Sequence, residues 1–302
     1  MKSQMKLMVV VFVVSLASNT AWAALNIFAC EPEWGALAKE LAGDKGNIYV
    51  ATTALQDPHR IEARPSLIAR ARTADLVVCT GAELEVGWLP LVQSQSGNAR
   101  IQSGRPGVFE AARQIALIEV PQALDRAKGD VHAAGNPHVH LDPRNIEKIA
   151  AALAERMVEL DQREAAHYRA RAADFLARWR QASARWEQQA APLKGISVVV
   201  YHRDLAYLLN WLGIREAGAL EPKPGLPPST AHLTELIARL SKEPARAVVR
   251  SAYNDARAAE WLSERARIPV VVIPYTVGGT DKAHDLFGLF DDTLARLLAA
   301  VK

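Results

Sequence analysis

The sequence predicts an α/β protein of two lobes, each built on a parallel β-sheet and joined by one long bridging α-helix. Short apolar runs alternate with amphipathic segments at the start of the chain and again after Gly195, as in parallel β-α-β units. Between these parts a helical pattern runs from Asn145 to Gln189 with one interruption. A helix from Gln162 to Gln189 spans about 40 Å at 1.5 Å per residue, enough to brace two domains.

In the first lobe, apolar runs predict strands, and apolar residues at helical spacing predict helices. The strands are expected at 25–30, 47–51 and 75–79, with one more short strand at 117–120. The helices are expected at 33–41, at 67–73 and around Trp88 and Val92, with Ser66 placed to cap the second of them.

The bridging helix carries Tyr168, Phe175, Trp179 and Trp186 at helical spacing, and we expect the two tryptophans to pack it against the lobes. Asp161 is placed to cap its start. In the second lobe, the strands are expected at 197–201, 216–219, 247–250 and 270–273, and the helices at 202–212, 230–240, 255–265 and 285–300. The resulting division is a lobe at 24–160, the bridge at 161–192 and a lobe at 193–302.

The first 23 residues have the order of a secretory signal peptide. Lys2 and Lys6 precede the apolar run 7–16, and small residues around Trp22 suggest cleavage after Ala23. We therefore expect export to the periplasm as a soluble protein, with a retained membrane anchor as the alternative. The remaining chain has 34 basic and 33 acidic residues. Because no basic face is concentrated in it, a nucleic-acid partner is not expected.

The two cysteines of the chain lie at the ends of two predicted strands. In an exported protein, Cys30 and Cys79 can form a disulfide if those strand ends are neighbours. Two separate buried thiols are an equal alternative.

Histidines follow predicted strands or begin helices in several separate units. His59, His138 and His202 occupy such positions, and ligands of parallel sheets bind outside the carboxyl ends of the strands. Imidazole is the commonest metal ligand in proteins. The sequence therefore predicts a zinc site of three imidazoles and one carboxylate, assembled in the cleft between the lobes.

The fourth ligand is expected from the loop after Ile273. This glycine-rich loop ends in Asp281, which is the predicted ligand, with Asp285 as the alternative because it is also placed to cap the final helix. His132 and His140 lie in the same loop as His138, and they are candidates for auxiliary metal contacts or ordinary loop residues.

Three ordered segments carry a resemblance to a known family. They are the segment 57–59 with Glu62, Pro65 and Ser66, the segment 136–143, and the segment 201–208. Together with residues 74–89 they resemble the zinc and manganese substrate-binding proteins of ABC transporters over essentially the whole mature chain. The resemblance implies two α/β lobes bridged by a long helix, with a metal held between them by His59, His138, His202 and a carboxylate.

Two departures from that family stand out. The family usually has a large aromatic residue at the position of His140, and its zinc-specific members often carry a longer loop rich in His and Asp before the second ligand. In this chain the loop is short. The C-terminal motif of the chain also departs from the family pattern, so the resemblance does not identify which carboxylate is the fourth ligand.

The resemblance implies a monomeric periplasmic carrier that captures a divalent metal and delivers it to an ABC permease, with a periplasmic metallochaperone as a further partner. Zinc is the expected metal and manganese the alternative, because three nitrogen donors and one oxygen donor do not suit magnesium or calcium. An exported zinc chaperone or a metal-dependent adhesin would share the fold and the site.

A zinc hydrolase is the alternative from another class. It would need an open coordination position beside a general base such as Glu62 or Glu85. The chain has no HExxH segment, no nucleophile elbow and no phosphate-binding glycine loop, and Glu85 is instead expected to accept hydrogen bonds from backbone donors or a ligand imidazole. We therefore do not expect an enzyme.

Overall fold

The computed structural model describes residues 24–122, 129 and 132–301. The predicted signal peptide, residues 1–23, lies outside this range. The first lobe is a four-stranded parallel sheet with strand order β2-β1-β3-β4. Its strands are β1 (Leu25–Ala29), β2 (Gly46–Val50), β3 (Leu76–Cys79) and β4 (Val108–Glu110).

Three helices cover this sheet, namely α1 (Pro32–Ala42), α2 (Pro65–Arg72) and α3 (Leu89–Ser96). Each has a proline in its first turn, where the fixed φ of proline suits a helix and its missing N–H costs nothing. The capping role predicted for Ser66 is wrong: α2 begins at Pro65, two residues before the predicted start, Arg64 is the N-cap, and no side chain caps it.

The predicted strand at 117–120 is also wrong, and β4 takes its place in the sheet. The backbone of Ile118 turns instead to the second lobe, where its N–H bonds to the Tyr207 hydroxyl at 3.2 Å. Its carbonyl accepts from the N–H of Asn136. Because β4 has only three residues and follows several turn residues, its pairing with β3 leaves no periodic pattern in the sequence.

The long helical segment consists of two helices, α4 (Pro143–Leu160) and α5 (Ala165–Gln189). Asp142 caps α4 by accepting from the N–H of Arg144 at 2.9 Å. The predicted interruption is present, but Asp161 ends α4 and does not cap α5 with its side chain; Glu164 is the N-cap of α5.

The second lobe repeats the architecture of the first, with strand order β6-β5-β7-β8 and all strands parallel. Its strands are β5 (Ser197–Val200), β6 (Arg215–Ala219), β7 (Ala247–Ser251) and β8 (Val270–Ile273). Its helices are α6 (Ala206–Leu212), α7 (Thr230–Leu240), α8 (Ala256–Ala266) and α9 (Leu286–Val301).

Helix α5 contacts both lobes. The Arg171 guanidinium donates to the Glu40 carbonyl on α1 at 2.7 Å, and the Trp186 indole donates to Asp291 on α9 at 2.6 Å. Trp179 and Trp186 are fully buried, as predicted. The predicted fold class, two parallel-sheet lobes joined by one long bridging helix, is confirmed. Within the described ranges, none of the helices is both long enough and apolar enough to cross a membrane.

Cys30 and Cys79 form a disulfide. Cys30 directly follows β1, and Cys79 is the last residue of β3. The two strands are neighbours, and their register places Ala29 opposite Val78. Both cysteines are fully buried. Of the two alternatives left open by the sequence, the structure has the paired one.

Candidate metal centre

The three histidines predicted as ligands meet in the cleft between the lobes. His59 lies in the loop after β2, His138 in the turn before α4 and His202 two residues after the end of β5. One ligand atom from each lies within 4.8 Å of the others. The ring centroids are 5.5 Å apart for His59 and His138, 6.0 Å for His59 and His202, and 5.7 Å for His138 and His202. The three imidazoles thus form a nearly equilateral triangle.

Each imidazole is oriented by an oxygen atom at its Nδ1. The partner of His59 is Asp57 Oδ1 at 2.8 Å, and the partner of His202 is Glu221 Oε2 at 2.6 Å. His138 has Asn136 Oδ1 at 2.8 Å. Because these oxygens accept hydrogen bonds from Nδ1–H, each ring keeps Nε2 for a metal, which is the usual outer arrangement around metal-bound histidine.

His138 gives the clearest sign that a ligand belongs here. Its side chain is 2% exposed, and its Nε2 has no hydrogen-bond partner among the described residues. A buried polar atom without a partner is costly and uncommon in folded proteins. A metal ion bound to Nε2 would remove that cost.

The protonation of the histidines also suits a metal. Burial lowers the pKa of His138 well below its usual range, and the positive charges of His59 and His202 lower it further. His138 is therefore neutral at pH 7, and only a neutral imidazole binds a metal. At His202 burial alone would lower the pKa, but the hydrogen bond and charge of Glu221, with the charge of Asp204, raise it. Protons therefore compete with a metal more strongly at His202 than at His138.

A fourth imidazole, His132, stands beside this triangle. Its Nε2 is 3.3 Å from Nε2 of His59, and its ring centroid is 6.4 Å from that of His138. In a tetrahedral zinc site with bonds near 2.0–2.1 Å, nitrogen ligands are about 3.4 Å apart. Without a metal, the same two nitrogens can share one hydrogen bond.

Asp281 does not join the triangle. The group of ligand atoms within 4.8 Å contains the three histidines and includes neither Asp281 nor His132. Unlike His132, whose Nε2 is 3.3 Å from that of His59, Asp281 is exposed in the loop after β8. Asp285 is occupied at the start of α9, where its Oδ1 accepts from the N–H of Gly288 at 2.7 Å. The structure therefore brings neither carboxylate of this loop into the group of three histidines, and the choice between them as a ligand stays a prediction.

The reason lies in the first residues of that loop. Tyr275 has a left-handed backbone with φ of 63°, and its buried ring packs 6.2 Å from the ring of His138. A tight turn follows, in which the N–H of Gly279 bonds to the carbonyl of Thr276. The loop thus places the ring of Tyr275 beside His138, whereas Asp281 lies in an exposed turn further along it.

His140 is not part of the triangle either. It is 1% exposed, and its Nε2 lies 2.9 Å from the Tyr275 carbonyl. Its Nδ1 is 3.3 Å from Glu33 Oε1 but makes no hydrogen bond. Of the two auxiliary candidates, the structure places His132 at the site and His140 in the core beside it.

Glu221 is a functional residue that the sequence reading missed. It follows β6 by two residues, and its N–H bonds to the carbonyl of Tyr201, which places it at the carboxyl end of the second sheet. The rule that led to His202 therefore also points to Glu221.

We expect Glu221→Gln to weaken zinc binding about 10- to 100-fold, because loss of an outer carboxylate partner typically costs that much metal affinity. The amide keeps the shape of the side chain but lacks the charge that orients the His202 ring. A chelator competition measures the effect, with Glu235→Gln on the exposed face of α7 as the control. Equal affinity of Glu221→Gln and the parent protein would show that Glu221 does not support the site.

A second group of ligand atoms, from Cys30, Cys79 and Glu85, also lies within 4.8 Å. Its sulfur atoms form the disulfide, so they are not free thiolates. Glu85 accepts hydrogen bonds from the N–H groups of Thr80 at 2.7 Å and Gly81 at 3.0 Å. Of its two predicted roles, acceptance from backbone donors is therefore the one that the structure has. Burial raises the pKa of Glu85 to about 7. This group is structural.

The fold and the site together define a two-lobed α/β protein with three converging imidazoles between its lobes. A family model described as "Zinc-uptake complex component A periplasmic" matches residues 27–300. The chain belongs to this family, which confirms the resemblance seen in the sequence. The family consists of transport proteins that bind a substrate and is not a family of enzymes.

Individual relatives are distant in sequence. The chain is 23% identical over 270 residues to the high-affinity zinc uptake system protein ZnuA of Paracoccus denitrificans, covering 78% of this chain and 79% of the relative. It is 25% identical over 152 residues to the manganese ABC transporter substrate-binding lipoprotein scaA of Streptococcus gordonii, covering 50% of this chain and 47% of the relative. A crystal structure of ZnuA shares the fold, with a TM-score of 0.75, 22% identity, and coverage of 90% of this chain and 99% of that chain.

Proposed function

We propose that this protein captures a divalent metal, foremost Zn²⁺, with His59, His138 and His202, and delivers it to an ABC permease for import. The observation that carries the proposal is the convergence of three imidazoles whose Nδ1 atoms are all occupied, with the buried Nε2 of His138 left without a partner. Membership of the zinc-uptake family supports the same function.

The donor atoms favour zinc. Three neutral nitrogens suit Zn²⁺, whereas Mg²⁺ and Ca²⁺ prefer oxygen ligands. The predicted fourth ligand, Asp281, would bring the site closer to what Mn²⁺ accepts, but the structure has His132 nearest to the triangle. We propose His132 as the fourth ligand. Manganese remains the alternative metal, because the partial relative from Streptococcus gordonii is named for manganese.

The remaining parts of the proposal concern the setting of the protein. We propose a monomer in the periplasm, exported by residues 1–23 and divided at 24–160, 161–192 and 193–302. The permease is the main partner, and a periplasmic metallochaperone is a further one. An exported zinc chaperone or a metal-dependent adhesin would bind the same metal but would not support import.

We propose no catalytic role. Of the two bases that a hydrolase would need, Glu85 is buried and held by backbone N–H groups. Glu62 is exposed, and its backbone carbonyl accepts from the N–H of Arg64 in a turn before α2. Within the described part of the chain, neither carboxylate forms a hydrogen bond with any of the three histidines.

Metal removal tests the proposal. We expect protein purified without added metal to contain one zinc per chain and to bind Zn²⁺ more tightly than Mn²⁺ in chelator competition. Free zinc at about 100 times the dissociation constant stabilises the fold by about 2.7 kcal/mol. Chelation should therefore lower the melting temperature by roughly 5–10 °C for a chain of this size.

Transport needs a separate measurement. Cells that lack this protein should take up less radioactive zinc at low zinc concentrations, and the wild-type chain should restore uptake. Zinc binding without restored uptake would favour the chaperone or adhesin. Manganese found in the purified protein, bound more tightly than zinc, would overturn the choice of metal.

A further inference from the structure

The three histidines are closed off on one side by buried hydrogen bonds between the lobes. The Thr276 hydroxyl, after β8, donates to the Glu33 carboxylate on α1, and His140 bonds to the Tyr275 carbonyl at 2.9 Å. All four residues are 3% exposed or less. Because these bonds join the lobes inside the core, this side offers no passage for a hydrated ion.

The histidines also border a cavity of about 200 Å³. His132, His138 and His202 line it from within, and Glu119 and Arg203 belong to its wall. At about 30 Å³ per water molecule, it holds several waters or a partly hydrated ion. It is therefore the natural path between solvent and the imidazoles.

The Glu119 carboxylate connects the parts that hold two of the ligands. One oxygen accepts from the Arg203 guanidinium at 2.6 Å, and Arg203 directly follows His202. The other accepts from the amide of Asn136 at 2.9 Å, and the amide oxygen of Asn136 orients His138. Glu119 thus connects the first lobe to the second across the wall of the cavity.

The backbone of Glu119 adds weight to this role. Its φ is 54°, a left-handed conformation that is uncommon for residues other than glycine and is kept only where the surroundings hold it. The bonds to Arg203 and Asn136 are what hold it here. The side chains of Arg203 and Glu119 are 50% and 33% exposed, so this connection opens to solvent more readily than the buried bonds on the other side.

We propose that Glu119 is a positioning residue for metal exchange: its ion pair with Arg203 closes the cavity over His138 and His202, and zinc passes when this pair opens. The proposal rests on the proposed function, since it needs a metal at the three histidines. Because loading and release use the same passage, weakening the pair raises both rates and leaves the equilibrium affinity nearly unchanged.

The test uses the full chain loaded with one Zn²⁺ and measures the rate of zinc release to an excess of a coloured chelator. We expect Glu119→Gln and Arg203→Gln each to accelerate release about tenfold, because a charge-assisted hydrogen bond is lost. In both variants the dissociation constant for zinc should change by less than about threefold. The double variant should be no faster than either single variant, because both remove the same pair.

Glu40→Gln is the matched control. Glu40 pairs with Arg178 at 2.7 Å, with similar side-chain exposures of 28% and 42%, but it lies on α1 away from the cavity. The Glu40→Gln variant should release zinc at the same rate as the wild type. An unchanged release rate in Glu119→Gln, or a dissociation constant that rises as much as the rate, would overturn the proposal. A wild-type protein that binds no zinc would instead contradict the proposed function.

Discussion

His138→Ala should reduce zinc affinity about 100- to 1000-fold. A complete zinc site of four protein ligands is worth about 10–16 kcal/mol, so one ligand accounts for roughly 3–4 kcal/mol, and each 1.4 kcal/mol is a factor of ten. His138 is the most buried of the three proposed ligands, so water cannot easily take its place. Chelator competition at pH 7 measures the loss.

The stability of the metal-free protein distinguishes a lost ligand from a damaged fold. Because Nε2 of His138 has no hydrogen-bond partner, its removal deletes a buried polar atom along with some packing. We therefore expect the melting temperature without metal to fall by only a few degrees, on the order of 1 kcal/mol. His284→Ala, whose side chain is 75% exposed, should leave both quantities unchanged. Wild-type affinity in His138→Ala would refute the proposed ligand set.

Trp179→Ala should be the most destabilising single substitution that we predict. The side chain is fully buried, and its ring lies 5.0 Å from Phe287, 5.1 Å from Trp186 and 5.3 Å from Phe175. Its indole donates to the Pro143 carbonyl at 2.8 Å. It therefore joins α5 to α4 and to α9 of the second lobe.

Truncating a buried tryptophan typically costs about 3–5 kcal/mol, because packing is lost and a cavity remains. For a chain of this size, that corresponds to a fall in melting temperature of about 10 °C or more. Thermal unfolding of the metal-free protein measures it. Where the variant is still folded, its zinc affinity should match the wild type, because Trp179 contacts none of the three histidines.

Trp261→Ala is the control for this substitution. Trp261 is partly exposed on α8, with the Arg265 guanidinium 3.9 Å from the centre of its ring. Its loss should cost about 1 kcal/mol or less. If the two substitutions destabilised the protein equally, the aromatic cluster around Trp179 would not be the connection between the lobes that we describe.

The helices and strands differ in how well the sequence predicts them. Strands β5 and β8 and helix α7 were predicted to within a residue. A buried strand leaves a continuous apolar run in the sequence, and a helix with one buried stripe leaves a helical period. Strand β4 was not predicted, because three residues are too few to show a period. Ser66 and Asp161 have the right chemistry for caps, but the chain enters α2 and α5 by other residues.

The sequence by itself predicted the fold class and the meeting of the three histidines in the cleft. It did so because each histidine lies close in sequence to the end of a strand or the start of a helix. The tertiary structure alone decided the disulfide, the orienting role of Glu221 and the nearness of His132 to His59. These depend on loops that meet across a cleft, and no local period records them. Asp281 shows the difference: its distance along the chain from β8 suits a ligand, but the folded loop leaves it exposed and outside the group of three histidines.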